Sequence, residues 1–235
     1  MAVTVKSARE IELMREAGRL LEIVHDEMAK IIRPGISTMD INERGDKVIR
    51  ELGCKPNFLN YGGFPASICV SVNEEVVHGI PRRDHFLKEG DIVSLDAGLI
   101  YKGYHSDAAR THAVGTISPE AQKLLDVTKQ SFFEGIKQAK AGNHLFDISA
   151  AIDDYVSGFG YGIVQDLVGH DKHPDVSVRF PACHRHEESD LLRTHHKYLL
   201  FLSVHKPDDR SLRSQRMRGV RPFFLRYFHL VLPRQ

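Results

Sequence analysis

Asp91-Ile-Val-Ser-Leu-Asp96-Ala-Gly-Leu-Ile-Tyr101-Lys-Gly103-Tyr-His-Ser-Asp107-Ala-Ala-Arg-Thr-His-Ala-Val114 reads as a β-hairpin. An apolar run reaches the turn Lys102-Gly103 and the chain then returns, which places Asp96 on the outgoing strand and Asp107 on the returning one. Carboxylates on paired strands repel each other unless a cation lies between them. Cross-strand neighbours come within ~5 Å at Cβ, close enough to bridge one or two divalent metals. The same spacing also suits one Asp that shapes the turn and another that is simply exposed. Spacing alone leaves both readings open.

Working outward, Ile68, Val70 and Val72 alternate with small or polar residues, the period-2 pattern of a half-buried strand. Further upstream, Ser7-Ala8-Arg9-Glu10 is a capping box. Ile11, Met14, Leu21, Met28 and Ile32 then mark one face of a long helix, which Arg33-Pro34-Gly35 stops. A second helix is expected from about Met39 to Leu52, with Gly53 placed to end it. Downstream, Ser118-Pro119-Glu120 opens a helix that should run to Ala141 before Gly142. A shorter helix near 146–156 and a strand at 162–168 bring the chain to Gly169-His170. Helices and strands interleave, so the class is α/β or α+β. No repeat and no low-complexity segment is visible.

The 235 residues leave room for one domain, or a domain plus a tail. With 42% hydrophobic and 27% charged residues, the composition is that of a soluble globular protein. The longest apolar run, Tyr198 to Val204, is far short of the ~20 residues that span a membrane. The first residues lack a signal-peptide pattern. Cys54, Cys69 and Cys183 are odd in number and without metal-like spacing, so no disulfide framework is expected and the chain reads as cytoplasmic. The overall charge of +1 hides a split: residues 171–235 are basic and rich in Arg and His, with a single Gly, whereas residues 1–170 are acidic.

Two histidines stand at strand ends. His78 lies in Val76-Val77-His78-Gly79-Ile80-Pro81, and His170 follows a strand and a Gly. Such a His can donate to a substrate amide or ligate a metal, and it can equally be a satisfied structural residue.

Taken together these segments say more. Tyr61-Gly-Gly-Phe-Pro-Ala-Ser-Ile-Cys-Val-Ser-Val-Asn-Glu-Glu-Val-Val-His-Gly-Ile-Pro81, Gly90-Asp-Ile-Val-Ser-Leu-Asp96 and Gly103-Tyr-His-Ser-Asp107 resemble the methionine aminopeptidase family. Arg33-Pro34-Gly35 and Leu167-Val-Gly-His170 extend the resemblance over residues 1–170, in matching order and spacing, and the chain is most similar to the bacterial type I enzymes. The resemblance implies a pita-bread α/β fold made of two related halves around a dinuclear centre. The family's ligands are two Asp, one His and two Glu. Asp96 and Asp107 match the two Asp, with Asp107 bridging the metals, and His170 matches the His. His78 matches the His that hydrogen-bonds the substrate's amide nitrogen. Tyr61, Phe64 and Cys69 match the lining of the methionine pocket, and Phe58 is placed to join them, although core packing is the plain alternative for these aromatics. The implied reaction is hydrolysis of the bond after an initiator methionine on nascent peptides, assisted by two divalent ions (Co, Mn, Fe or Zn).

After His170 the pattern stops. The family continues Gly-His-Gly-Ile-Gly, then a His-Glu pair, Ile-Glu-Pro and a late Glu. This chain reads Gly169-His170-Asp171-Lys172-His173-Pro174, and its only later Glu residues are Glu187 and Glu188. Adjacent residues on a strand point to opposite faces, so this pair cannot supply both ligands. The expected division is therefore a catalytic region at 1–170 and a divergent basic His/Arg-rich tail at 171–235, which reads as out of frame. The pita-bread fold is then expected to be incomplete in its second half, with two Glu ligands missing and a sheet edge and apolar face uncovered, so impaired activity and poor solubility are the expected consequences. The alternative is a non-catalytic pita-bread protein that binds nascent chains, the ribosome or RNA through an authentic tail. No basic helix or aromatic-interleaved patch supports nucleic-acid binding. A monomer is expected, with no membrane partner.

Overall fold

The computed structural model describes residues 5–163. They divide into two compact units, residues 5–118 and residues 119–163. His170, the tail and most of the strand expected at 162–168 lie outside the described residues.

The first unit opens with helix α1, Ala8–Ala29, under the capping box expected at Ser7 and Glu10. The helix ends short of Ile32. Ile31 and Ile32 donate to the carbonyls three residues back, at 3.2 and 3.3 Å, so the last turn tightens before Pro34. Helix α2, Thr38–Glu51, starts from a second capping box made by Ser37 and Asp40. A short strand β1, Lys55–Pro56, and strand β2, Ile68–Val72, follow. The hairpin is then formed by β3, Ile92–Tyr101, and β4, Tyr104–Ala113. Lys102 and Gly103 both have positive φ (49° and 87°), the type I′ geometry that matches the twist of a two-residue hairpin. All pairings are antiparallel. β4 runs along one side of β3, while β2 and β1 share its other side.

One face of this sheet carries α1 and α2. Val93, Leu95, Ala97 and Leu99 of β3 are fully buried there, together with Val24, Met28, Ile41 and Ile49 of the helices. All five residues of β2 are buried, not only one alternate set. Polar ties fix the layers. Asn42 of α2 accepts from the backbone of Ser67 and Ile68 at 2.9 and 3.1 Å, and His25 of α1 meets the Ala108 carbonyl at 2.9 Å.

On the same helix-covered side of β4 lie Arg110 and His112. Arg110 pairs with Asp26 at 3.0 Å. Burial, then the neighbouring Arg110 charge, push the His112 imidazole down to about 4. A His whose folded value lies below its unfolded one contributes stability above about pH 6.5, and that stability is lost as the pH falls toward 4. His112→Phe is therefore expected to melt less steeply with acid than the unaltered chain between pH 6.5 and 4, measured by thermal denaturation at each pH. Equal slopes would show that His112 is not held neutral.

The second unit pairs helix α3, Pro119–Ile136, with helix α4, Leu145–Ser157. α3 stops before the expected Ala141, since Gln138 and Ala139 already bond three residues back at 2.9 Å. A repeat that residue identities hide is visible in the elements. In each unit a helix is followed by a Gly at positive φ (Gly35 and Gly142), and five residues later an Asp accepts from the backbone of the next helix's N-cap. Among the described residues no helix is long and apolar enough to cross a membrane.

Candidate active site

The face of the sheet away from α1 and α2 has a different composition. The β3 positions that alternate with the apolar ones are Ser94, Asp96, Gly98 and Ile100. Ser94 bonds Thr111 of β4 at 2.8 Å. Cys69 of β2 lies directly opposite Asp96, whereas Asp107 of β4 lies opposite Gly98. The two carboxylates therefore share one face but are diagonal neighbours, not the directly facing pair that cross-strand spacing suggested. Diagonal side chains remain within reach of each other, and these two carboxyls are hydrogen-bonded.

Their electrostatics follow from that contact. Burial first, then the Asp107 charge and the shared hydrogen bond, push Asp96 well above the usual carboxylate range. Burial raises Asp107 to about 7, while the bond from Asp96 and the Ala108 amide hold it down. Two bare carboxylates this close do not both ionise without a counter-charge, so the pair holds a shared proton to higher pH than an isolated carboxylate does. The same negative charge, added to burial, raises the Cys69 thiol well above its ordinary value. Cys69 is a neutral, apolar wall here and not a thiolate nucleophile.

His78 sits beside the outer edge of β2. Gly79 donates to Ser71 Oγ at 3.1 Å, and its carbonyl accepts from the Val70 amide at 3.0 Å. A Cβ at Gly79 would run into the Val70 carbonyl oxygen and lie 2.9 Å from Ser71 Cα, so only glycine allows this approach. His78 itself has φ of 56°, and burial lowers its pKa, so the imidazole is neutral at pH 7. Phe58 and Phe64 are buried, and a tight turn links them: Tyr61 bonds back to Phe58 and Phe64 back to Tyr61, each at 2.9 Å. Phe58 reaches the carboxylate face, where its Cε1 would lie 3.0 Å from a Cβ placed on Gly98.

The structure thus brings Asp96, Asp107, Cys69 and Phe58 together, sets His78 at the adjacent strand edge, and carries Tyr61 and Phe64 on the loop between. His170 lies outside the described residues. Among the described residues no third His, Cys, Asp or Glu completes a metal-holding group with the two Asp. Sequence reasoning passed over Gly79, Gly98, Ser71 and Asn57. The two glycines were visible inside the quoted motifs, but what each must accommodate was not.

The model of metallopeptidase family M24 matches residues 12–195, which carries past His170. A methionine aminopeptidase of Clostridium acetobutylicum is 48% identical over 180 residues, covering 75% of this chain and 72% of that protein. Methionine aminopeptidase 1 of Bacillus subtilis is 45% identical over the same shares. The chain belongs to the methionine aminopeptidases of metallopeptidase family M24. A crystal structure of the methionine aminopeptidase from Thermotoga maritima, 39% identical, superposes with a TM-score of 0.70 over 72% of this chain and 68% of that one. The fold is accordingly the family's pita-bread fold, and the expected α/β class holds. Members of the family are dinuclear divalent-metal hydrolases, and the carboxyl pair on the β3–β4 face has the chemistry such ions need. Two buried oxygen-ligand groups press on each other electrostatically, and a divalent cation would relieve that strain.

Proposed function

We propose that this chain removes N-terminal methionine from nascent proteins in the cytoplasm, as a monomer, and that with residues 171–235 in place of the family's continuation it does so poorly. The observation that supports this reading is the Asp96–Asp107 pair on a small-residue face walled by Cys69 and Phe58. Asp96, Asp107 and His170 would hold two divalent ions (Co, Mn, Fe or Zn), which supply Lewis acidity for peptide hydrolysis near neutral pH. Phe58, Tyr61, Phe64 and Cys69 take the methionine side chain and exclude water from it. Neutral His78 accepts a hydrogen bond from the substrate's amide N–H and steadies the developing tetrahedral centre. The impairment follows from residues 171–235, whose Glu187 and Glu188 stand in no Ile-Glu-Pro motif, so that segment supplies neither the family's Glu ligands nor a general base. We take that segment, as distinct from residues 1–170, to be read out of frame. Contact with the ribosome would place the enzyme near its substrate.

Titration of the purified chain with Mn²⁺ in a calorimeter tests the reading, with saturable binding as the expected result. No metal uptake, combined with salt-sensitive binding to RNA, would replace it with the reading of a non-catalytic binding protein.

A further inference from the structure

One polar group on the carboxylate face has no part in the chemistry above. Asn57 follows β1, and its side chain crosses β3 over Gly98. A Cβ on Gly98 would lie 2.9 Å from Asn57 Cβ, 3.0 Å from its Nδ2 and 3.0 Å from Phe58 Cε1. The crossing is possible because residue 98 has no side chain. On the far side, Asn57 Oδ1 and His105 Nδ1 are 2.8 Å apart. His105 lies two residues before Asp107, on the same face of β4. The carbonyl end of the amide is therefore occupied. Its Nδ2 is buried and has no hydrogen-bond partner among the described residues.

A buried N–H group without an acceptor is costly, so this one is better accounted for by something that arrives. An amide N–H does not ligate a metal ion or accept from an ammonium group, which rules out the cationic parts of the site and substrate as its target. Nδ2 and the Phe58 ring edge lie within 3.0 Å of one common point, so Nδ2 also borders the apolar wall. A methionine side chain against that wall carries a single acceptor, the thioether sulfur, which is weak but adequate for a donor that is already desolvated.

We propose that Asn57 is a specificity-determining residue whose Nδ2 donates to the thioether sulfur of the bound N-terminal methionine, with His105 fixing the orientation of the amide. The assignment rests on the methionine-pocket reading above. It separates methionine from norleucine, which has the same length and shape and no acceptor.

Calorimetric binding of L-methionine amide and L-norleucine amide to the full chain, with saturating Mn²⁺, tests it. The unaltered protein is expected to bind methionine amide about threefold to fivefold more tightly, the scale of one weak hydrogen bond. Asn57→Leu and Asn57→Ala should each bring the ratio to about one. Asn57→Ala adds no volume and decides the matter if Asn57→Leu does not fold. Equal binding of both ligands by the unaltered protein would overturn the assignment, and so would a preference that survives in the variants. If Mn²⁺ binds but neither amide does, the pocket reading falls and takes the assignment with it.

Discussion

Methionine release from a Met-initiated peptide by this chain, with saturating Mn²⁺, is expected to run several orders of magnitude below that of the Clostridium acetobutylicum or Bacillus subtilis relative assayed alongside. A positioned general base contributes roughly 10²–10⁴-fold on its own, and a missing ligand weakens the metal pair as well. Both losses trace to residues 171–235, where no Glu stands in the family's pattern. Translation of the coding DNA downstream of codon 170 in the other two frames should then yield Gly-Ile-Gly, a His-Glu pair, Ile-Glu-Pro and a late Glu. Turnover within tenfold of the relatives would contradict the impairment. Absence of those motifs in every frame would make the tail authentic.

The second large effect concerns the carboxyl pair. Asp96→Asn and Asp107→Asn are each expected to weaken Mn²⁺ binding by more than about 100-fold, since even residues that only support metal ligands cost 10–100-fold. The pH dependence carries a definite sign. Asp107 has its folded value raised to about 7 and Asp96 is raised as well. In metal-free protein their stabilising contribution is fully present below about pH 4 and is lost as the pH rises through 7. Metal binding must displace the shared proton, so Mn²⁺ affinity should climb between pH 5 and 8 in the unaltered chain. Thermal melts with and without Mn²⁺ at each pH read both trends. A stabilisation by Mn²⁺ that does not change with pH, or that persists in both variants, would show that the ion binds elsewhere.

Much of this site could be read before the fold was known, and for a physical reason. A strand has a side-chain period of two, so Asp96 and Asp107 could be assigned to paired strands once Lys102-Gly103 was recognised as the turn. The two-residue offset that makes them diagonal neighbours depends on the hairpin register, which spacing suggested only to within a residue or two. The ends of α1 and α3 were overextended because Ile32 and Lys137–Lys140 continue a helical pattern while the backbone has already tightened. The repeat between the two units escaped because it resides in a Gly-to-Asp spacing at the start of α2 and α4 and not in matching core residues. Gly79 and Gly98 were seen as motif letters. Their purpose, passage of a strand-edge segment and of the Asn57 side chain, involves partners distant in sequence.

Anomalous diffraction from crystals of this chain soaked in Mn²⁺ tests the metal-binding role of the carboxyl pair most directly. A manganese peak within about 2.5 Å of carboxylate oxygens from both Asp96 and Asp107 is the expected result. Full occupancy at some other position, with the two carboxyls still hydrogen-bonded to each other, would contradict that role.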